Sequence, residues 1–193
     1  MLSAGATDHV VVFYQSDDEL AELVADYLLG AMTGNGVAIV LAAPGHRHAF
    51  RQRLANAGVD IGRARVHGRY VELDAAETMA RFMVNGWADP ASFWRTITPL
   101  LKAAAPDGRP VRIFVEMVAL LWHQGLVSAG VEVEALWNEL GAQYPFALLC
   151  AYPEAVLGDD AHADAIAEVC AAHEATAGAT ASGHRPAWDS FRN

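Results

Sequence analysis

The pattern of hydrophobic and polar positions divides this chain into two kinds of segment. Short, almost continuous apolar runs, such as His9–Tyr14 and Val37–Ala42, are typical of strands buried on both faces. The longer blocks between them repeat apolar residues at helical spacing, and the first opens with the capping pattern Ser16-x-x-Glu19. Strands that alternate with helices predict parallel strands joined by helical crossovers.

The same alternation continues to about residue 174. Further strands are expected at Val111–Val115 and Phe146–Tyr152, with one strand or a small hairpin within Ala64–Leu73. Further helices are expected from Asp74, from Asp89-Pro90, from Met117, over Val131–Tyr144 and over Asp160–Glu174. Pro99 should kink or divide the helix that begins at Pro90. The pattern predicts an α/β fold, a three-layer sandwich with a mainly parallel sheet of about five strands.

The length of 193 residues suits one domain with a sizeable core. Residues 1–8 are interpreted as an N-terminal extension and residues 9–174 as the domain. From Ala175 onward the residues are small and polar, so 175–193 are expected to form a flexible tail.

Composition narrows the functional classes. The chain is 53% hydrophobic, yet charged residues interrupt its longest apolar run, so no membrane span is expected. The first residues lack a basic region and an apolar core, which favours a cytoplasmic protein without a secretory signal. With 13 basic against 23 acidic residues and a net charge of −10, direct nucleic-acid binding is not expected.

Several catalytic and cofactor motifs are missing where the pattern would place them. A phosphate-binding loop would follow the first strand, but the residues there are Gln15 to Glu19, with three acids and no glycine. No serine lies in a Gly-x-Ser-x-Gly context. Cys150 lies within an apolar strand, which favours an inert core thiol. We expect no cofactor and no enzymatic activity.

Two features could still carry chemistry. Glu116 ends the strand Val111–Val115, at the edge where α/β sheets bind ligands, although such an acid can also cap a helix or pair with an arginine. Cys170-x-x-His173 places two potential metal ligands one helical turn apart, and Glu116 or His9 could add others. A single close pair is a weak form of the usual four-ligand pattern, so no metal is assigned.

Tryptophan and methionine residues recur across the middle of the chain. Most are expected in the core, but an apolar cavity with a few polar groups at its mouth would also suit a small molecule. The polar residues that would form this mouth are His9, Tyr14, Glu116, Asn138, Tyr152 and His173. They can come together only if the order of the strands in the sheet allows it.

Several local motifs together resemble one family. They are His9-x4-Tyr14, Ser16-x-x-Glu19, Arg112-x3-Glu116-Met117, Leu136-Trp-Asn138, Leu148-Leu-Cys150-Ala-Tyr152 and Cys170-x2-His173. In this order and spacing they resemble the MEDS domain, the methanogen/methylotroph sensory domain of prokaryotic signalling proteins. The resemblance implies a RecA-like fold whose nucleotide-binding motifs have decayed. It also implies the sensing of small molecules, proposed to be simple hydrocarbon derivatives, coupled to an output module.

No DNA-binding or kinase segment follows His173, so a stand-alone sensor is expected to signal through a separate protein partner or by forming a homo-oligomer. We therefore expect a sensory domain that binds a small organic ligand near Tyr14, Glu116 and Tyr152. One alternative is a ligand-free interaction module that docks onto a signalling partner. Another is a metal-dependent enzyme built on Glu116, Cys170 and His173.

Overall fold

A computed structural model describes residues 8–158, 163–173 and 175–178. The strands are β1 (His9–Tyr14), β2 (Val37–Ala42), β3 (Tyr70–Asp74), β4 (Met83–Val84), β5 (Trp87–Ala88), β6 (Val111–Val115), β7 (Ala147–Pro153) and β8 (Ala175–Gly178). The α-helices are α1 (Asp17–Met32), α2 (Pro44–Asn56), α3 (Ile61–Val66), α4 (Ala75–Met79), α5 (Pro90–Ala104), α6 (Met117–His123), α7 (Val127–Gly141) and α8 (Ala163–Ala172). A 3-10 helix, Glu154–Gly158, follows β7.

Six of the strands form one sheet in the order β3-β2-β6-β7-β1-β8. Every neighbouring pair in it is parallel. Helices α1 to α3 pack on one face, and α4 to α8 pack on the other. The predicted three-layer α/β sandwich is confirmed, and the parallel sheet is consistent with the RecA-like fold that the resemblance implies.

The strands that were easiest to predict are those buried on both sides. All six residues of β1 and all six of β2 are buried, with alternate side chains facing the two helical layers. In β1, Val11 and Phe13 face the layer of α4 to α8, whereas Val10 and Val12 face α1 to α3. This double burial explains the continuous apolar runs.

Helix α1 begins with the predicted cap, except that the Glu19 carboxylate binds a different backbone amide from the one expected. Ser16 is the N-cap residue, and its hydroxyl accepts a hydrogen bond from the Glu19 amide at 3.3 Å. The Glu19 carboxylate accepts from the backbone amide of Gln15, at 2.7 Å, rather than from that of Ser16 as a standard capping box would. The amide of Gln15, before α1, is thus bound by the chain's own acid.

Two segments differ from the prediction. The first part of Ala64–Leu73 belongs to helix α3, because the Asp60 side chain caps its first turn by accepting from the Arg63 amide at 2.8 Å. The helix predicted from Asp74 to about Asn85-Gly86 ends already at Met79, and a hairpin of β4 and β5 follows. Asn85 and Gly86 turn this hairpin with φ of 52° and 84°, the left-handed conformation of a tight two-residue turn.

The remaining differences are smaller. Pro99 lies inside α5 without dividing it, and α7 begins at Val127, four residues before the predicted start. The first four residues of the expected tail, Ala175–Gly178, form β8 beside β1, while residues 179–193 lie outside the described part of the chain. Among the described helices, none has the length and apolar character needed to span a bilayer.

Candidate functional site

Four polar side chains meet inside the otherwise apolar layer between the sheet and helices α7 and α8. They are His9, Glu134, Cys150 and His173, here called the polar cluster. One nitrogen, oxygen or sulfur atom from each lies within 4.8 Å of the corresponding atoms of the other three. All four side chains are buried. Such a concentration of polar groups in a core requires mutual partners or a bound species.

The fold brings these residues together from distant parts of the chain. His9 begins β1 and Cys150 lies in the adjacent β7, where Leu148 is opposite His9 and Cys150 is opposite Val11. Both side chains point to the face covered by α7, which supplies Glu134. His173 directly follows α8 and is the last described residue before β8. The cluster therefore depends on β7 lying beside β1.

The contacts within the polar cluster are short. His9 Nε2 lies 3.3 Å from Cys150 Sγ and 3.4 Å from Glu134 Oε2. The same carboxylate oxygen lies 3.7 Å from both Cys150 Sγ and His173 Nε2. The two imidazole rings are tilted against each other by 49°, with centroids 3.9 Å apart. Glu134 Oε2 is thus the common neighbour of the other three groups.

Residues around the polar cluster fix the orientation of its side chains. The Nδ1 of His9 lies 2.6 Å from Asn138 Oδ1, and the Nδ1 of His173 lies 2.6 Å from the carbonyl oxygen of Val169. These oxygens only accept, so each Nδ1 carries the proton and donates. In the neutral rings, both Nε2 lone pairs then face the cluster. The Tyr152 hydroxyl donates to Glu134 Oε1.

Burial and the neighbouring charges act against each other on these groups. Burial alone would raise the pKa of Glu134, but the close contacts with His9 and His173 and the hydrogen bond from Tyr152 lower it below its ordinary value. Burial, together with repulsion from Glu134, raises the pKa of the Cys150 thiol well above its ordinary value. Burial also lowers the pKa of His173, although Glu134 opposes this. The cluster thus favours a carboxylate beside a neutral His173.

Four of the six residues predicted for a ligand site lie in or next to the polar cluster. They are His9, Asn138, Tyr152 and His173. Glu134 and Cys150 were not among the predicted residues. Glu134 occupies a buried stripe at positions 130, 133, 134 and 137, a pattern in which an acid signals a polar core site. Cys150, interpreted as an inert core thiol, is instead in contact with a histidine and a carboxylate.

Tyr14 and Glu116 lie elsewhere. Tyr14 packs in the layer of α1 to α3, on the opposite face of the sheet from Tyr152, so the expected grouping of Tyr14, Glu116 and Tyr152 is not formed. Glu116 accepts a 2.8 Å hydrogen bond from the Ala43 amide at the start of α2. It also lies 2.7 Å from His46 Nδ1. Glu116 therefore joins the end of β6 to the start of α2. Its side chain does not cap the next helix, α6, and its ionic partner is a histidine rather than the arginine that the structural alternative named.

The electrostatics at Glu116 differ from those of the polar cluster because the neighbouring side chains of His46 and Asp17 are more exposed to solvent. The hydrogen bond to Glu116 raises the pKa of His46, with a smaller contribution from Asp17, whose carboxylate lies 3.4 Å from Nε2. Burial, with repulsion from Glu116 and Asp17, raises the pKa of Tyr14 to about 12. This edge is an acid-rich network that a histidine partly neutralises.

The place where a related fold would bind phosphate is occupied by the chain's own acids. The carboxyl ends of β1 and β7 are adjacent, and their following connections leave in opposite directions, which is the usual ligand crevice of an α/β sheet. There the Gln15 side chain donates to Glu154 at 2.9 Å and its amide to Glu19. This agrees with the missing phosphate-binding loop.

A groove of about 710 Å³ lies beside the end of α1 and helix α3, at the edge of the sheet opposite to the carboxyl ends of the strands. Its size would suit a small molecule. However, Arg69 in its lining already donates to the carbonyl oxygens of Met32 and Gly34, and Arg109 pairs with Asp107. None of the residues predicted for the site is among those that line this groove.

Comparison with known proteins agrees with the motifs. The family model described as "MEDS: MEthanogen/methylotroph, DcmR Sensory domain" matches residues 8–174. No curated protein matches the chain. The matched span contains all four residues of the polar cluster and almost the whole sheet. The chain therefore belongs to the MEDS family of sensory domains, and its role is sensory or regulatory.

Proposed function

We propose that this domain senses a small organic ligand at the polar cluster and reports its occupancy to a separate signalling protein. The observation that carries the proposal is His173 Nε2, which is buried and has no hydrogen-bond partner within the described part of the chain. A buried polar atom without a partner is costly, and a bound polar group would satisfy it. Tyr152 and Asn138, which hold Glu134 and His9, would orient that group.

The position of His173 suggests how occupancy becomes a signal. His173 lies between α8, which packs on α7, and β8, which pairs with β1. A ligand that contacts His173 together with Glu134 or His9 would favour the arrangement in which α8 and β8 are docked. A partner that distinguishes the docked from the released arrangement would read the ligand.

This proposal keeps four of the predicted ligand-binding residues and adds Glu134 and Cys150. Ligand binding by Tyr14 and Glu116 stays a prediction that this proposal does not use. The contacts of Glu116 with Ala43 and His46 support a role in holding α2 against the sheet. We further propose that the domain has no catalytic activity and acts in the cytoplasm, as its composition predicts.

Ligand binding can be tested by thermal unfolding with short-chain alcohols, amines, halides and carboxylates. A compound present at about 100 times its dissociation constant should stabilise the folded state by about 2.7 kcal/mol. Tyr152→Phe and Asn138→Ala should weaken this effect. Tyr14→Phe is the matched control, because it removes a hydroxyl from the other face of the sheet. Stabilisation by none of the compounds, or its loss only in Tyr14→Phe, would contradict the proposed site.

A second candidate, a ligand-free module that self-associates, is favoured by the hairpin of β4 and β5. Val84 and Trp87 there are 54% and 55% exposed, although both are apolar. Neighbouring apolar side chains left in water are a common feature of interaction surfaces. Sedimentation should show association that Trp87→Ser weakens, with Val66→Ser, at an exposed valine in α3, as the control. A monomer at every concentration would exclude self-association through the hairpin.

A further inference from the structure

We propose that the polar cluster is a binding site for a divalent transition metal ion of the zinc type. Its ligands are His9 Nε2, Glu134 Oε2, Cys150 Sγ and His173 Nε2. The inference concerns the same cluster as the proposed function and rests on it only for the link to sensing. Metal binding itself can be tested without any organic ligand.

Four of the six distances between the ligand atoms fit a metal-centred tetrahedron. Zinc binds nitrogen and oxygen at about 2.0 to 2.2 Å and thiolate sulfur at about 2.3 Å, so tetrahedral ligands lie about 3.3 to 3.8 Å from one another. Four of the six separations in the cluster are 3.3, 3.4, 3.7 and 3.7 Å. The other two, from His173 Nε2 to His9 and to Cys150, are no longer than 4.8 Å.

When both histidines are neutral, the cluster has more lone pairs than protons. With Nδ1 of both rings donating outward, the Nε2 atoms of His9 and His173 and the Oε2 of Glu134 are then all acceptors. The Cys150 thiol can donate its single proton to only one of its two neighbours, His9 Nε2 or Glu134 Oε2. A cation at the centre would satisfy all of these atoms together.

The surroundings resemble the outer shell of metal sites. Metal-bound histidines usually donate their second ring nitrogen to a carbonyl, amide or carboxylate oxygen, which fixes the ring and its tautomer. His9 does so to Asn138, and His173 does so to Val169. The Tyr152 hydroxyl binds the carboxylate oxygen of Glu134 that faces away from the cluster. Each of these three ligands is therefore held in place by a partner outside the cluster.

The ligand types select the class of metal. Imidazole and thiolate favour zinc and its neighbours over magnesium and calcium, which prefer all-oxygen sites. A carboxylate and a thiolate also supply two negative charges, which would balance a divalent ion in a site that excludes water. Four protein ligands form a closed site, the arrangement typical of structural rather than catalytic zinc.

A bound ion would tie together four elements that are far apart in the sequence. It would join the start of β1, the middle of α7, strand β7 and the segment between α8 and β8. Since α8 and β8 are held to the rest of the domain by few other elements, the ion would lock them in place. Because the four protein ligands fill its coordination sphere, the ion would take the place of the organic ligand at His173 Nε2 and would itself hold α8 and β8 in the docked arrangement.

The test is metal analysis of the full chain, purified without a histidine tag and then loaded with zinc or cobalt after chelation. We expect about one zinc ion per chain. Cobalt should give the visible absorption of a tetrahedral site and a thiolate charge-transfer band. His173→Gln, Glu134→Gln and Cys150→Ser should each weaken binding at least 100-fold. Asn138→Ala, which removes an outer partner, should weaken it 10- to 100-fold.

Two control variants separate this site from others. His46→Gln removes a different histidine–glutamate pair and should leave binding unchanged. Cys170→Ser removes the other cysteine of the chain and should preserve the thiolate band. If the band vanished in Cys170→Ser and persisted in Cys150→Ser, the assigned ligands would be incorrect.

Folded wild-type protein that binds neither zinc nor cobalt would overturn the proposal. The cluster would then be only a hydrogen-bonded network. If a ligand-site variant does not fold, the wild-type spectrum and its loss on chelation still decide the question. Metal binding without any response to organic compounds would reject only the proposed function, whereas an organic response without metal would reject only this inference.

Discussion

Two histidine–glutamate pairs in this domain show how burial decides the behaviour of the same chemical groups. His46 lies beside Glu116 near the surface, and the hydrogen bond between them raises the pKa of the histidine. His173 lies beside Glu134 in the core, where burial outweighs the carboxylate and lowers the pKa. The distances contribute as well, being 2.7 Å in the first pair and 3.7 Å in the second. The first pair favours a charged histidine and the second favours a neutral one.

The raised pKa of His46 predicts a pH-dependent contribution to stability. Protonated His46 is favoured in the folded state, so its contribution is fully present below the unfolded pKa of about 6.5. It is lost as the pH rises through the higher folded pKa. His46→Gln should therefore cost about 1 to 2 kcal/mol at pH 5.5 and less at pH 9.

Urea unfolding of the variant and the wild type at both pH values measures this difference. His48→Gln is the control, because His48 is an exposed histidine on the same helix. A cost that grew with pH would contradict the assigned partner, Glu116.

At the level of single residues, the sequence identified several polar side chains of the cluster but not their set of contacts. His9 and Tyr152 stood out because they flank apolar strands, and His173 because it lies one turn from a cysteine. Cys150 looked like any small core residue, since a thiol in an apolar run carries no local signal. Only the pairing of β7 with β1 shows that it meets His9.

Among the elements, the contact between α1 and β6 is unusual because it places an arginine against a helix backbone. Arg112 in β6 donates to the carbonyl oxygen of Tyr27 at 2.6 Å and lies over the Tyr27 ring at 5.2 Å. Gly30 leaves the room for it, because a Cβ at that position would lie 1.9 Å from Arg112 Nη1. The glycine is thus required by packing, not by backbone conformation.

Gly30→Ala should therefore destabilise the domain even though alanine favours helices. Displacing the Arg112 guanidinium should cost about 1 to 3 kcal/mol, the usual range for overpacking. Gly45→Ala in α2 is a matched control, because nothing lies within 4 Å of its added Cβ. It should be neutral or slightly stabilising. Chemical denaturation of both variants gives the comparison, and equal stabilities would mean that Arg112 moves aside without cost.

The elements that sequence patterns predicted well are those with a single dominant signal. Strands β1 and β2 begin and end as expected because both faces are apolar. Helix α3 was missed because its start depends on one side chain, that of Asp60, capping a stretch with few apolar residues. The hairpin at Asn85-Gly86 was interpreted as the end of a helix, since the same two residues commonly end helices and turn hairpins.

On the scale of the whole molecule, the order of the strands determines both the site and its stability. Patterns in the sequence predict parallel strands but not which strands are neighbours, because crossovers of similar length can reach several positions. That order places β6 between β2 and β7, whereas β8 lies at the end of the sheet and pairs with β1. The segment that closes the polar cluster is thus joined to an edge strand.

Hydrogen exchange should reflect this arrangement. Strands β6 and β7 have a neighbouring strand on each side, so their amides should open only with global unfolding. Those of β8 should exchange at least ten times faster, through local opening. Mass spectrometry of peptides from the exchanged protein measures both, and equal protection of β8 and β6 would show that the edge strand belongs to the same cooperative unit.

The position of β1 has a consequence for how the protein is made. Among the described strands, β1 is synthesised first, whereas its two neighbours, β7 and β8, are synthesised after all the others. Its segment HVVVFY must therefore remain unpaired until residues 147–153 have emerged. Such apolar, β-prone segments aggregate readily while they wait. Nascent chains that stop before residue 147 would expose it permanently, which makes them natural clients for chaperones and proteases.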